Sequence, residues 1–294
     1  MLRRLPALLC LLLLVAAASA RAGVPVVRFS WDSDASAAAA RELAAVWQAE
    51  GPALAAALLP AGAVADTVDC LITGSAEFER LFARTMPDWG VGLALPTGRA
   101  VAIDRERLPA VGRGLREVFL HEMVHALLFQ AAPGAWLPAW FHEGTAMQAS
   151  GEWRFVDTVS LALGGRVPAL GRLQGRFPAV AAMADQAYRI SLLAVRRLEE
   201  RHGPGAVARV LAETARLGDF DAGFTAAVGE DPAAFAREFD ARMRLRFGWL
   251  VALTRWPTLF VIMALVLAVG AVRKIAASRR RLAAMDDGPP LPPA

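Results

Sequence analysis

Cysteine is almost missing from this chain: its 294 residues include only Cys10 and Cys70. Cys10 lies in an N-terminal stretch with the marks of a removable leader, which leaves one thiol and excludes an internal disulfide framework. Stability must then come from packing. Cys70 sits in the mostly apolar run Val68 to Ile72 and reads as a buried strand residue rather than a nucleophile. Tyrosine occurs once, as Tyr188, and histidine four times, so chemistry that needs a phenol or an imidazole has few places to be. Net charge is scarce once the ends are set aside. Of the 32 basic residues, two lie in the first 20 positions and five beyond position 272, where two of the 28 acidic residues also lie; 25 basic and 26 acidic residues remain between. A body so near neutrality offers no basic stripe, and no nucleic-acid partner is expected.

The long apolar runs are at the two ends. Arg3 and Arg4 precede an apolar run from Leu5 to Ala18, and Ala18-Ser19-Ala20 supplies small residues for cleavage. This pattern predicts a secretory signal peptide over 1–20. Leu9 before Cys10 does not suit a lipoprotein site. At the other end, 256–272 carries no charge and meets the short limit of the roughly 17 to 25 residues a span needs. Trp256 suits the interface, and Arg273, Lys274, Arg279, Arg280 and Arg281 favour a cytoplasmic C-terminus. Arg242, Arg244, Arg246 and Arg255 on the other flank dilute that bias, so the leader is the stronger sign of topology. The expected division is a signal peptide at 1–20, an extracytoplasmic domain at 21–255, a transmembrane helix at 256–272 and a basic cytoplasmic tail at 273–294. An uncleaved leader would make a hairpin with the same domain outside. The tail would meet anionic headgroups, and its Pro-rich end, 288–293, is disordered by composition. Secretion with a membrane anchor suggests the bacterial envelope.

Two short segments carry the chemistry. His121-Glu122-Met123-Val124-His125 lies in a predicted helix, Leu115 to Gln130, free of Pro and Gly. Residues four apart project from one helix face, so both imidazoles can chelate one ion while Glu122 stands beside any water bound to it. Pro133-Gly134 breaks the helix, and Pro138 suits the first turn of the next. That second helix continues from Trp140 to Ser150 and can fold back antiparallel, offering Glu143 as a third ligand. Two His, one carboxylate and one open position suit a hydrolytic zinc site. The plainer reading makes His121 and His125 satisfied polar residues on a partly buried helix. The second segment tips the balance to metal. His142 is one residue off the ligand position and is expected to point elsewhere.

These segments, HEMVH and WFHEGTA, resemble the signature of the gluzincin metallopeptidases, in particular the small bacterial peptidase-MA-like families: His-Glu-x-x-His followed by a Trp-x-x-Glu-Gly-x-Ala-like segment. The resemblance covers roughly residues 90 to 245. It implies zinc held by His121, His125 and Glu143, with Glu122 as general base. In the related aminopeptidase branch a Tyr early in a later helix stabilises the oxyanion. Tyr188, near the start of AYRISLLAVRRLEERHG, matches that place; its other reading is an amphipathic-helix residue with its hydroxyl at the surface. No Gly-x-Met-Glu-Asn-like motif supports an exopeptidase. The implied activity is a membrane-anchored extracytoplasmic zinc metallopeptidase, acting on peptides or unfolded protein chains. A non-catalytic envelope scaffold with a vestigial or structural zinc site is the rival, against which the intact Glu122 argues. Zinc-dependent hydrolysis of a non-peptide bond is a third reading.

The rest of the pattern predicts an α+β fold. A small N-terminal mixed sheet accompanies the zinc-binding helix, followed by a mostly helical C-terminal part and one transmembrane helix. Strands are expected at Val24 to Ser30 and Val68 to Ile72, and as a hairpin at Gly90 to Leu95 and Arg99 to Ile103. That hairpin reads equally as an edge that pairs with a peptide substrate or as ordinary packing on the core. An Ala-rich helix from Ser36 to Leu59 is expected to be interrupted near Gly51-Pro52. Further helices are expected at Ala76 to Phe82, Ala182 to His202, Gly205 to Leu217, Phe220 to Val228 and Pro232 to Phe247. The Gly-rich stretch from Gly151 to Pro178 reads as a loop.

Overall fold

The computed structural model describes residues 23–60, 63, 65–82, 90–151, 168–175, 177, 181–254 and 256–286. The expected leader, the Pro-rich end and most of the Gly-rich loop lie outside the described residues.

Four strands, β1 (Val27–Trp31), β2 (Val68–Thr73), β3 (Gly92–Ala94) and β4 (Ala100–Asp104), form one sheet in the order β1-β2-β4-β3. β1, β2 and β4 run parallel, and β3 pairs antiparallel with β4 at the edge, so the sheet is mixed. Alternation sorts its faces. Val27, Phe29, Val68, Cys70, Ile72, Val101 and Ile103 are buried, while Arg28 and Asp69 pair at 2.7 Å on the other side. Helices α1 (Asp34–Leu58) and α3 (Leu115–Ala131) cover the apolar face, where Phe119 meets Phe29 and Trp47 with ring centroids 5.9 and 6.2 Å away. The short α2 (Ser75–Phe82) follows β2.

The expected interruption near Gly51-Pro52 is absent: α1 runs unbroken with Pro52 inside it. Leu43, Trp47, Gly51 and Ala55, spaced four apart, form one buried row. Burying that row offsets the roughly 3 kcal/mol that an interior proline costs.

The remainder is helical: α4 (Ala139–Ser150), a 3-10 turn at Leu170–Arg172, α5 (Ala181–His202), α6 (Ala206–Leu217), α7 (Phe220–Val228), α8 (Pro232–Thr254) and α9 (Trp256–Asp286). Trp140 anchors α4 to this part, with ring centroids 6.3, 6.4 and 5.8 Å from Phe220, Phe224 and Phe235. Asp231 caps α8 by accepting the Ala234 N–H at 2.9 Å. α8 continues seven residues past the expected end at Phe247. The fold is thus α+β, with a small N-terminal mixed sheet and a helical remainder. Among the described residues, Phe260–Leu282 of α9 is the one stretch long and apolar enough to cross a membrane, and none of it is buried. The expected span, 256–272, lies within this helix, which continues through Arg273 and Lys274 to Asp286.

Candidate metal centre

From Val118 to Leu128 every residue of α3 is buried, because the sheet and α1 cover one side and α4 the other. Three of those residues are polar: His121, Glu122 and His125, each 7–8% exposed. Buried polar groups need partners or a charge to bind. The helical spacing puts the two imidazoles together, with ring centroids 4.7 Å apart at 83°.

α4 delivers the third group. Pro138 takes the N-cap position, just before the first turn where it was expected. The Ala139 and Trp140 N–H groups donate to the carbonyls of Gln174 and Leu173 at 2.9 Å each, satisfying two donors that a helix start leaves open. At Gly144 the backbones of α4 and α5 touch, since a Cβ there would overlap the Ser191 carbonyl. This close approach turns the preceding residue, Glu143, towards α3. Its Oε2 lies 3.3 Å from His121 Nε2 and 3.3 Å from His125 Nε2. That oxygen is buried and has no hydrogen-bond partner among the described residues. The ligand atoms of all three side chains lie within 4.8 Å of one another. An unbonded carboxylate oxygen facing two imidazole nitrogens is suited to a shared cation, and this group could hold a metal ion. Burial would raise the pKa of Glu143; the charge of His125 and the close contacts of both imidazoles outweigh it and hold the carboxyl well below the usual range.

Glu122 rests on the edge strand. Its Oε1 lies 2.5 Å from where a Cβ on Gly92 would stand. Burial, and to a lesser degree the charge of Glu122, pushes the Cys70 thiol up, so that inward-facing residue of β2 stays protonated. Tyr188, half-buried on α5, places its ring centroid 6.5 Å from that of His121 and 4.9 Å from that of Phe177.

His142 corrects an expectation. It does not point elsewhere: its ring stacks on His125 with centroids 4.3 Å apart and 16° between planes. One residue along a helix is a turn of about 100°. Here that rotation carries His142 from the ligand row to the neighbouring row, still facing α3. Burial and the nearby His125 push its pKa down to about 3, so the ring is neutral at physiological pH.

The structure therefore brings His121, His125 and Glu143 together, seats Glu122 at the edge strand and faces Tyr188 towards His121. Sequence reasoning missed Gly92 and Gly144. Both had a signal: glycine within a strand or helix weakens it and marks a close approach. Fold and site together define an α+β protein with a buried cluster of two imidazoles and a carboxylate fit for a cation. No protein-family model matches the chain, and no curated protein matches it.

Proposed function

We propose that this protein is a zinc metallopeptidase, anchored in a membrane by α9, that hydrolyses peptide bonds of peptides or unfolded chains on the extracytoplasmic side. The observation that carries the reading is Glu143 Oε2, 3.3 Å from both His121 Nε2 and His125 Nε2. Two imidazoles and a carboxylate are a donor set that suits zinc, and with their ligand atoms within 4.8 Å of one another His121, His125 and Glu143 would hold it. When bound, zinc supplies Lewis acidity to a water molecule and to the scissile carbonyl.

This chain's residues do the rest. Glu122 takes a proton from the water as its oxygen adds to the carbonyl carbon, then delivers it to the amine nitrogen as the C–N bond breaks. Tyr188 donates its hydroxyl to the oxygen that gains charge. β3, the outermost strand of the described sheet, offers backbone groups along which an extended peptide can lie without demanding a particular sequence. The apolar α9 supports the anchor, the leader sets the domain outside, and the basic residues after Val272 fit the cytoplasmic side of a bacterial envelope.

The test uses the full chain in detergent micelles. One zinc per chain is expected, lost or weakened in Glu143→Ala, and an unfolded protein substrate should be cleaved by the wild type. A folded wild type that takes up no supplied zinc overturns the reading. Zinc binding with no cleavage of any unfolded chain or peptide leaves the non-catalytic scaffold.

A further inference from the structure

We propose that His142 is a positioning residue for His125: its ring, stacked face to face, holds the plane of the ligand imidazole. The inference rests on the metal reading above. Metal-ligating histidines usually donate their second ring N–H to a carboxylate, a carbonyl or a water, and this bond orients the ring. Among the described residues His125 lacks that restraint. Its Nδ1 is buried and has no hydrogen-bond partner among the described residues. What it has is a face. The His142 ring lies 4.3 Å away at 16°, close to parallel. Phe129, one turn beyond His125 on α3, packs on the same His142 ring at 4.7 Å and 48°, so α3 holds that ring at two points.

His142 acts through its face rather than its nitrogens. Its Nε2 is buried without a hydrogen-bond partner among the described residues, and the three ligand atoms converge without it. Because His142 precedes Glu143 on α4, one turn of one helix supplies a ligand and braces another. Rotation of the His125 ring about its Cβ–Cγ bond would swing Nε2 off the point it shares with Glu143 Oε2, and the flat neighbour resists that rotation.

The test is zinc affinity by chelator competition on the full chain in micelles, with the ligand-field spectrum of the cobalt-substituted protein as a second readout. The variants are His142→Ala, His142→Leu and His142→Phe. Alanine and leucine should weaken zinc binding by about 10- to 100-fold, the usual loss when a group orienting a ligand is removed. Phenylalanine, which restores a flat face without nitrogens, should recover most of the affinity and the wild-type cobalt spectrum. Wild-type affinity in the alanine variant overturns the proposal. So does a phenylalanine variant as weak as leucine, which would assign the effect to the nitrogens, or a leucine variant as tight as phenylalanine, which would assign it to volume. If the alanine variant fails to fold, the leucine–phenylalanine comparison decides. A folded wild type that binds neither zinc nor cobalt removes the metal reading itself, and this proposal with it.

Discussion

Glu122 Oε1 lies 2.5 Å from the point where a Cβ on Gly92 would stand, so the edge strand and the carboxylate of α3 share a space that only glycine leaves open. Gly92 pairs with Ile103 of β4, which fixes its height along the sheet. The strand proposed to receive a substrate backbone is therefore the strand that seats the proposed base. Gly92→Ala should keep one zinc per chain while lowering kcat/KM by about 100-fold, the scale of an ångström's misplacement at a reacting group. Wild-type turnover in a folded, zinc-loaded variant would show that Glu122 does its work elsewhere.

Glu122→Gln keeps shape and volume but cannot carry the proton. It should retain zinc and lose about three or more orders of magnitude in turnover, since water activation and leaving-group protonation both fail. Steady-state rates with zinc content measured on the same sample check this.

Tyr188→Phe leaves the ring between His121 and Phe177 and removes only the hydroxyl. A donor used in the transition state alone predicts kcat lower by roughly ten- to a thousandfold with KM little changed. A change confined to KM would place the hydroxyl on bound substrate instead.

Gly144→Ala would drive a methyl into the Ser191 backbone, which cannot rotate away as a side chain can. The overpacking should cost about 1–3 kcal/mol, read as a lower Tm, and should weaken zinc binding because Glu143 is the adjacent residue. An unchanged Tm would mean that α4 and α5 separate freely.

Acid stability should depend on Asp32. Partial burial acts to raise its pKa, but the Gly74 N–H and the Ser36 hydroxyl, each donating at 2.8 Å, help hold it below the usual aspartate range. A carboxyl lowered on folding stabilises above its unfolded pKa, and that contribution is lost as pH falls through the folded value. Denaturant midpoints of the wild type should thus fall below about pH 4 more steeply than those of Asp32→Asn, which has no charge to lose. Parallel slopes would sink the assignment.

What the sequence determined by itself was local. Helical geometry places residues four apart on one face whatever the surroundings, so His121 and His125 were a pair before any fold was known. Asp231-Pro232 marked a helix start, and the charge-free run from Trp256 marked a helix long and apolar enough for a membrane span, for similar short-range reasons. Only the tertiary structure decided what meets across the chain. Trp140 packed among Phe220, Phe224 and Phe235 anchors α4, and the Gly144–Ser191 contact brings α4 against α5. That packing puts Glu143 Oε2 at equal distance from two imidazoles, turns His142 onto His125 and sets Tyr188 beside His121. The Gly92–Glu122 contact joins positions 30 apart, and the buried row of α1 kept Pro52 inside a helix that local propensity would have broken. Such outcomes are sums of many packing contacts between distant segments, whereas helical period and capping depend on a few neighbouring residues.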